Sequence, residues 1–427
     1  MKLAKLSLAA IVVAGLASSS FAADTLADAF KNGKVSGELK AYYFDKDNGT
    51  NSESIFTTGI MLNYKTASFY GLGANFTFQG SSSPFASDNE KDMFAGTMYG
   101  PGAVLSEAYI SYTIGKTTAL VGRMFLDTPL VASSGSRVVK DSFEGAAVIN
   151  TDLPNTTLIA GYVQKGQDRT DNNGKIGEFT KKFATGSLSY GELPVNAEDG
   201  AYTLAAINKS VPGLTLTAAY AYANDIAQLA YAEALYEGKA GEIGYTLGGQ
   251  FYYNKIDNTL TNLANTLVVS PYADDSITSY ALKAGLSYKG INGTIAYSQT
   301  SDDDVATAVA NGSSTAKGLH RGELVSGLGN GADLLYTDAV ISSPGYTRDT
   351  QAYLADVNYD VTSAANVGVR YVLADDNYLD AKYSYSAVYG SYKFDGALKG
   401  FKLGAEYEKQ GKDVDGSDLW VKASYKF

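Results

Sequence analysis

The 427-residue chain carries 34 Lys and Arg against 45 Asp and Glu, a formal charge of −11 at pH 7, and no Cys. The acidic balance excludes nucleic acid as a partner, because that binding depends on clustered positive charge, and the missing thiols exclude disulfides and cysteine chemistry. Its 33 Tyr, 45 Gly and only 8 Pro suit a ladder-rich sheet, whose hydrogen bonding Pro would break, with amphipathic Tyr at a membrane–water boundary.

In chain order, Lys2 and Lys5 precede an uncharged apolar run over 6–17 and the triplet Ser20-Phe21-Ala22. This is the pattern of a secretory signal peptide, residues 1–22, cleaved after Ala22 and leaving 23–427 as the mature domain. The run is too short to cross a bilayer as a helix, and no later stretch reaches the ~18 apolar residues that a helix needs.

Period-two segments of about ten residues follow. Phe56, Thr58, Ile60, Leu62 and Tyr64 share one face, as do Tyr70, Leu72, Ala74, Phe76 and Phe78. The even positions of 214–222, the odd positions of 243–253, the even positions of 278–288 and the odd positions of 401–407 repeat the pattern. Side chains alternate across a strand, and a transmembrane barrel strand needs lipid-facing apolar residues alternating with lumen-facing ones. The stretch 226–236 is helical by propensity. It reads as a strand because the short spacing to the next strand demands one. In the last ten residues, Leu419, Val421, Ala423, Tyr425 and Phe427 face one way, and Trp420, Lys422, Ser424 and Lys426 the other. The terminal Phe427 resembles the signal by which outer-membrane barrels engage their assembly machinery.

Tight connections fall at 64–68, 114–117, 152–156, 211–214, 289–293, 360–364 and 395–400, and long polar ones at 80–103, 166–199, 255–276 and 301–348. Short turns at one rim and long loops at the other are the asymmetry of outer-membrane barrels. Loops this long are rare in compact soluble domains. A direct scan gives about nineteen strands, which would leave the two chain ends at opposite rims. Assigning 179–190 to an external loop, as part of a small hairpin, restores parity. The predicted fold is all-β: a closed antiparallel transmembrane β-barrel of about 18 strands, wide enough for an aqueous channel.

The segment LSEAYISYTIGKTTALVGRMFLDTPLVASSGSRVVKDSFEGAA, residues 105–147, resembles the OprD-type outer-membrane porin family: an EAY strand, a G-R strand, then a Pro-containing loop with SR before FEGA. The first strand, LKAYYFDKDN at 39–48, and QAYLADVNYD at 351–360 are similar to strands of that family. One departure is that Val138-Val139 is followed by Lys140 where the family has Pro. The resemblance implies a bacterial outer-membrane pore for small hydrophilic solutes and ions, with a preference for carboxylates or amino acids. It also implies that the third external loop, 126–142, folds inward.

That loop holds Asp127, Arg137, Lys140 and Asp141, opposed charges able to set a transverse field. In 117–125, assigning Leu120, Gly122 and Met124 to lipid turns Arg123 inward. The apolar odd positions of 367–373 turn Arg370 inward, and Glu107 faces the lumen by the same logic. The family's ladder of lumenal arginines implies Arg123, Arg137 and Arg370 here, with Lys165 and Lys283. A guanidinium holds a carboxylate bidentately. The alternative is that these cations pair with wall carboxylates. Acidic external loops such as Asp302-Asp303-Asp304 pull toward cations; that run is a filter or, in better accord with its place, a solvated tip, with divalent-cation binding a weaker reading.

The chain's one His, His320, lies in the loop 301–348 without a Ser or Asp arrangement around it, so no catalytic role is expected. No metal-ligand spacing or cofactor motif is legible. The expected partners are small polar solutes, ions and outer-membrane lipid, and the chain is a monomer or a homotrimer. The rival reading is a structural or adhesive barrel with little or no conductance.

Overall fold

Period-two segments pair with their chain neighbours until the last meets the first. The computed structural model describes residues 23–170, 176–188, 191–196, 199–265, 271–309, 318–325, 327–332 and 335–427. The expected signal peptide, 1–22, lies outside the described residues. The ring strands are β1 (Lys34–Asp47), β2 (Ser52–Lys65), β3 (Leu72–Ser82), β4 (Gly102–Ile114), β5 (Thr117–Met124), β6 (Ser142–Asn150), β7 (Thr156–Gln167), β8 (Ala201–Asn208) and β9 (Leu214–Ala223). They continue as β10 (Ala227–Ala240), β11 (Ile243–Ile256), β12 (Ser276–Tyr288), β13 (Ile291–Thr300), β14 (Thr350–Asp360), β15 (Ala365–Asp376), β16 (Ala381–Lys393), β17 (Phe401–Lys412) and β18 (Gly416–Lys426). All neighbours are antiparallel, and β18 closes on β1 with Tyr43 opposite Val421 and Glu38 opposite Lys426. Phe427 seals the seam: its backbone N–H donates to Gly37 O (3.1 Å) and its carbonyl accepts from Gly37 N (3.0 Å).

The ring keeps an even number of strands. Phe179–Thr180 pairs with the end of β7 outside the ring, and Lys182–Leu188 pairs with Gly191–Asn196 as a hairpin in the connection from β7 to β8. The segment with helical propensity is strand β10, with Leu229 and Tyr231 buried and Tyr236 turned outward. Outward positions are apolar and exposed: Leu282 is 58% exposed and Ile295 65%. Exposed aromatics form two belts. Tyr112, Tyr236, Tyr288, Tyr359, Tyr392 and Tyr425 lie near the short-turn rim, and Tyr43, Phe56, Tyr202, Phe251, Tyr353 and Tyr407 near the other. These are the interfacial girdles of a membrane barrel. The turns at the short-turn rim depend on glycine. At Gly400 (φ +96°), a Cβ would lie 2.2 Å from the Lys426 carbonyl oxygen.

The start of β1 and the end of β18 both sit at the short-turn rim. The helix α1 (Leu26–Lys31), capped by Thr25, docks there through Ala67 N to Ala29 O (3.0 Å). The long-loop rim also carries short connections at 48–51, 224–226, 377–380 and 413–415. Its long third and seventh connections, 125–141 and 301–349, are called loop 3 and loop 7 here. The largest buried cluster joins both to the barrel wall: Leu126, Leu130 and Val131 of loop 3, Leu324, Leu335 and Tyr346 of loop 7, and wall residues including Tyr231, Tyr252 and Ile277.

Candidate functional site

A loop enters a barrel only if the wall satisfies its backbone polar groups. Polar residues of β1, β3 and β4 do so for loop 3. Glu107 accepts hydrogen bonds from Phe125 N (3.2 Å), Asn75 Nδ2 (3.0 Å) and the Thr77 hydroxyl. Gln79, 1% exposed, clasps Lys140 on both sides: its Oε1 accepts from Lys140 N (2.9 Å) and its Nε2 donates to Lys140 O (2.8 Å). Lys40 Nζ donates to the carbonyls of Arg137 (3.2 Å) and Val138 (3.1 Å). Between these anchors Thr128 closes a turn onto Val131, donating from its hydroxyl to Val131 O (2.8 Å).

Sequence reading placed 301–348 among the external loops. Much of it instead lies against loop 3 and the inner wall. Leu328 N donates to Leu130 O (2.8 Å), Ala132 N to Leu328 O (3.0 Å) and Gly331 N to Ala132 O (2.9 Å). Across the lumen Val325 N meets Asn254 Oδ1 (2.7 Å), Tyr336 N meets Gln250 Oε1 (3.0 Å), and the Tyr336 hydroxyl meets Glu233 (2.6 Å). On the far side the buried Glu408 carboxylate accepts from Val340 N (2.9 Å), Ile341 N (3.0 Å) and Ser342 N (2.9 Å). The signal for this was the apolar content of the loop (Leu324, Leu328, Leu335, Tyr336, Tyr346), matched by polar residues on lumenal strand positions (Glu233, Gln250, Asn254, Glu408).

Of the residues singled out from the sequence, Asp141 joins the two loops, accepting from Ser134 N (2.7 Å) and Asn330 N (2.8 Å). Asp127 bridges to Ala132 within loop 3. Lys140 Nζ stands 4.4 Å from the Phe125 ring centroid. Arg137 lies over Trp420 (4.0 Å) and Phe44 (5.5 Å), and these two rings stack at 4.4 Å. Burial, then the neighbouring Arg169, pull the Arg137 guanidinium below its ordinary value. Arg370 faces inward as expected, with Val367 and Val369 exposed. It pairs with Asp356 (2.9 Å) and donates to the loop 7 carbonyls of Asp338 (3.2 Å) and Ala339 (3.5 Å). It is therefore a strut for loop 7.

Leu120 and Met124, expected on the lipid face, are instead 8% and 2% exposed in the buried cluster that includes loop 3, whereas Val121 is 64% exposed. The inward loops supply an apolar surface, so hydrophobic residues also belong on the lumenal face there. Arg123 follows Gly122, which has φ +129°. It pairs with Glu144 (3.0 Å), which also holds Lys165 (2.8 Å), and its guanidinium lies 4.2 Å from the Phe179 ring centroid. Lys283 sits 3.9 Å from the Tyr336 ring centroid. Asp302 and Asp304 are clamped by Arg348 (2.8 and 3.1 Å), and among the described residues no metal-type cluster occurs. His320 lies on a two-stranded hairpin within loop 7.

Sequence reasoning missed the lysines along the β17–β18–β1 seam. Lys422 pairs with Glu406 (3.0 Å) and lies 4.1 Å from the Trp420 ring centroid. A recess in the wall is lined by Tyr42, Tyr389, Lys402, Glu406, Lys422 and Ser424. Lys402 makes no ion pair among the described residues. The alternation of β18 already placed Lys422 and Lys426 on its polar face. The family pattern drew attention to arginines instead.

A family model described as outer membrane porin, OprD family, matches residues 109–316. The fold is similar to Acinetobacter baumannii OccAB2, with a TM-score of 0.74 at 16% identity over 94% of this chain and 99% of that one. It is similar to Pseudomonas aeruginosa OccK9 (OpdG), with 0.75 at 14% over 93% and 99%, and to Pseudomonas aeruginosa OpdK, solved with vanillate, with 0.67 at 13% over 93% and 99%. No curated protein sequence matches the chain.

Proposed function

We propose that this chain, whose residues 109–316 match the OprD porin model on a closed 18-strand barrel, is an OprD-family outer-membrane porin for passive diffusion of small solutes, and that its channel favours small carboxylates and amino acids over cations. The observation that carries this is the uneven commitment of lumenal charge. The acids in the wall are occupied: Glu107 by Asn75, Thr77 and the loop 3 backbone, Asp356 by Arg370 and Tyr389, Glu408 by three backbone N–H groups, and Glu144 by two cations. At the seam the balance is reversed. Lys40, Lys402, Lys422, Lys426 and Arg137 stand near Glu38, Glu406 and Asp418. The Lys40 and Lys426 contacts to Glu38 are long, 3.8 and 4.0 Å. Apart from Lys40, which already serves two loop 3 carbonyls, this row offers successive charge-assisted donors to a passing carboxylate, and the focused field raises local anion concentration. OpdK, a neighbour in fold, is solved with vanillate, itself a carboxylate. On this reading Arg123, Lys165 and Arg370 hold the wall and loop 7, while Arg137, Lys140, Asp127 and Asp141 shape the constriction. Residues 1–22 serve as the secretory signal, and Phe427 as the assembly signal.

Planar-bilayer recording of the refolded protein under a gradient of potassium chloride, then of potassium benzoate, tests the reading. Anion-favouring reversal potentials should move toward cations in Lys402→Gln/Lys422→Gln. A cation-favouring potential in the unaltered protein would refute the carboxylate preference, and a folded barrel with no current would refute the channel.

A further inference from the structure

Arg169, the second residue of the connection from β7 to β8, is 8% exposed. Its guanidinium has one hydrogen bond among the described residues, Nη2 to Ser136 Oγ at 3.1 Å. Arg137 Nη1 donates to the same oxygen at 3.2 Å. One hydroxyl thus lies between two guanidinium groups. The Nε–H of each arginine is buried with no acceptor. Thr170, next in the chain and 3% exposed, has a buried hydroxyl that also lacks a partner. The nearby carboxylates act on the pair through space. Asp141 and Asp168 attract Arg169, and Glu406 and Asp418 attract Arg137. The Asp141 oxygens are already held by Ser134 N and Asn330 N.

Buried polar groups are nearly always paired, and a cluster of unpaired ones calls for a missing partner. Two like charges sharing one hydroxyl, each with most of its donors unused and with carboxylates acting on them only through space, repel each other less when an anion lies between them. The partner must be compact, because the donors converge on a space now spanned by one oxygen atom. It must carry more than one negative charge to neutralise both guanidinium groups, and more than two acceptor atoms to use their forks. Ser136 is exposed, so the place is open to water.

We infer that the Arg137–Ser136–Arg169 cluster is a station for a compact dianionic oxyanion, either inorganic phosphate or the phosphate head of a small phosphomonoester. The inference rests on the reading of loop 3 as part of an anion-favouring pathway. It adds a preference for doubly charged tetrahedral groups over single carboxylates. At the station the anion's oxygens accept from both guanidinium groups and from the serine hydroxyl, and the Lys402–Lys422 recess is the next group of cations available to it.

The test is block of chloride current through single channels at pH 8 by inorganic phosphate, compared with acetate at equal concentration. Phosphate should reduce the current at a concentration at least about tenfold below that of acetate, the ratio expected when one charge-assisted contact is gained. Arg169→Met should abolish that ratio and Arg169→Lys should restore part of it. Heat-dependent mobility of each variant in detergent gels reports that the barrel is folded. A merely structural Arg169 would alter conductance but not the phosphate-to-acetate ratio. Phosphate block no stronger than acetate, in channels that favour anions, overturns this inference and leaves the carboxylate pathway standing. Strong phosphate block in channels that show no carboxylate preference supports the station and overturns the broader reading.

Discussion

Glu408 is the latch of loop 7, and its replacement makes the most direct test of the strap. The carboxylate is fully buried on β17. Its Oε2 accepts from Val340 N and Ile341 N, and its Oε1 from Ser342 N. Hydrogen bonds to a charged group are worth about 1.5–3 kcal/mol each, and neutral ones about 1 kcal/mol. Glu408→Gln keeps one acceptor oxygen for two of the three N–H groups, at neutral strength, and sets its amide N–H₂ against the third. At the low end of that range the loss is about 3 kcal/mol. Because 1.4 kcal/mol is a factor of ten, the seated state of 340–342 becomes disfavoured by about 150-fold relative to the unaltered chain. Arg370, Tyr336 and Thr337 still hold their own contacts with the loop or the wall, so the expected outcome is local detachment and not loss of the whole strap. Single-channel records of Glu408→Gln should show higher mean conductance with millisecond closures, and amide exchange at Val340, Ile341 and Ser342 should rise. Unchanged conductance together with unchanged exchange at those three amides would refute the latch.

Trp420→Ala removes the surface on which Arg137 and Lys422 sit and the ring stacked on Phe44. Each cation–π contact is worth about 0.5–2 kcal/mol, so loop 3 should loosen and open-channel current noise should increase. Gly400→Ala forces a side chain into a left-handed position against the Lys426 carbonyl. Local strain of that kind costs about 1–3 kcal/mol, and the urea midpoint of the folded barrel should fall. Leu282→Arg puts a charge on the lipid face, where the cost is about 2–4 kcal/mol at mid-bilayer; folding into bilayers should be impaired while folding in detergent is retained.

The strand number was legible because barrel parity is a hard constraint: both ends must meet at one rim, and the turn at 211–214 fixed the direction of β8. Tertiary demand overrode the helical propensity of 226–236, which lies almost wholly in β10, for the same reason, since a helix there would leave one edge of β9 and one edge of β11 unpaired. Loop 7 was not legible as an inward strap. Its partners are single polar residues on strands far away in sequence, Gln250, Asn254 and Glu408, and nothing in a linear pattern marks which lumenal polar group will meet a loop and which will meet water. Leu120 and Met124 failed for a related reason. Alternation distinguishes two faces but does not say which one is wet, and a lumen partly filled by loops has apolar patches of its own.

The same division explains where selectivity resides. A porin wall must be polar, and inward loops need acceptors for their N–H groups, so buried carboxylates such as Glu408 and Glu107 are drawn into holding backbone. Carbonyls of the loops draw cations less completely: Lys40 and Arg370 each serve two, while Lys402 and the Arg137–Arg169 pair retain unused donors. On the proposed reading, folding loops 3 and 7 inward leaves the unused charge of the pathway positive. On that reading the net charge of −11 does not set ion preference, because the external rim contributes acids such as Asp302, Asp304, Asp375 and Asp415 that pair with Arg348, Lys382 and Lys409 outside the pathway. Neutralising those rim acids should change the salt dependence of entry rates, since rim charges act through a screened field, and should leave the reversal potential set by the seam lysines.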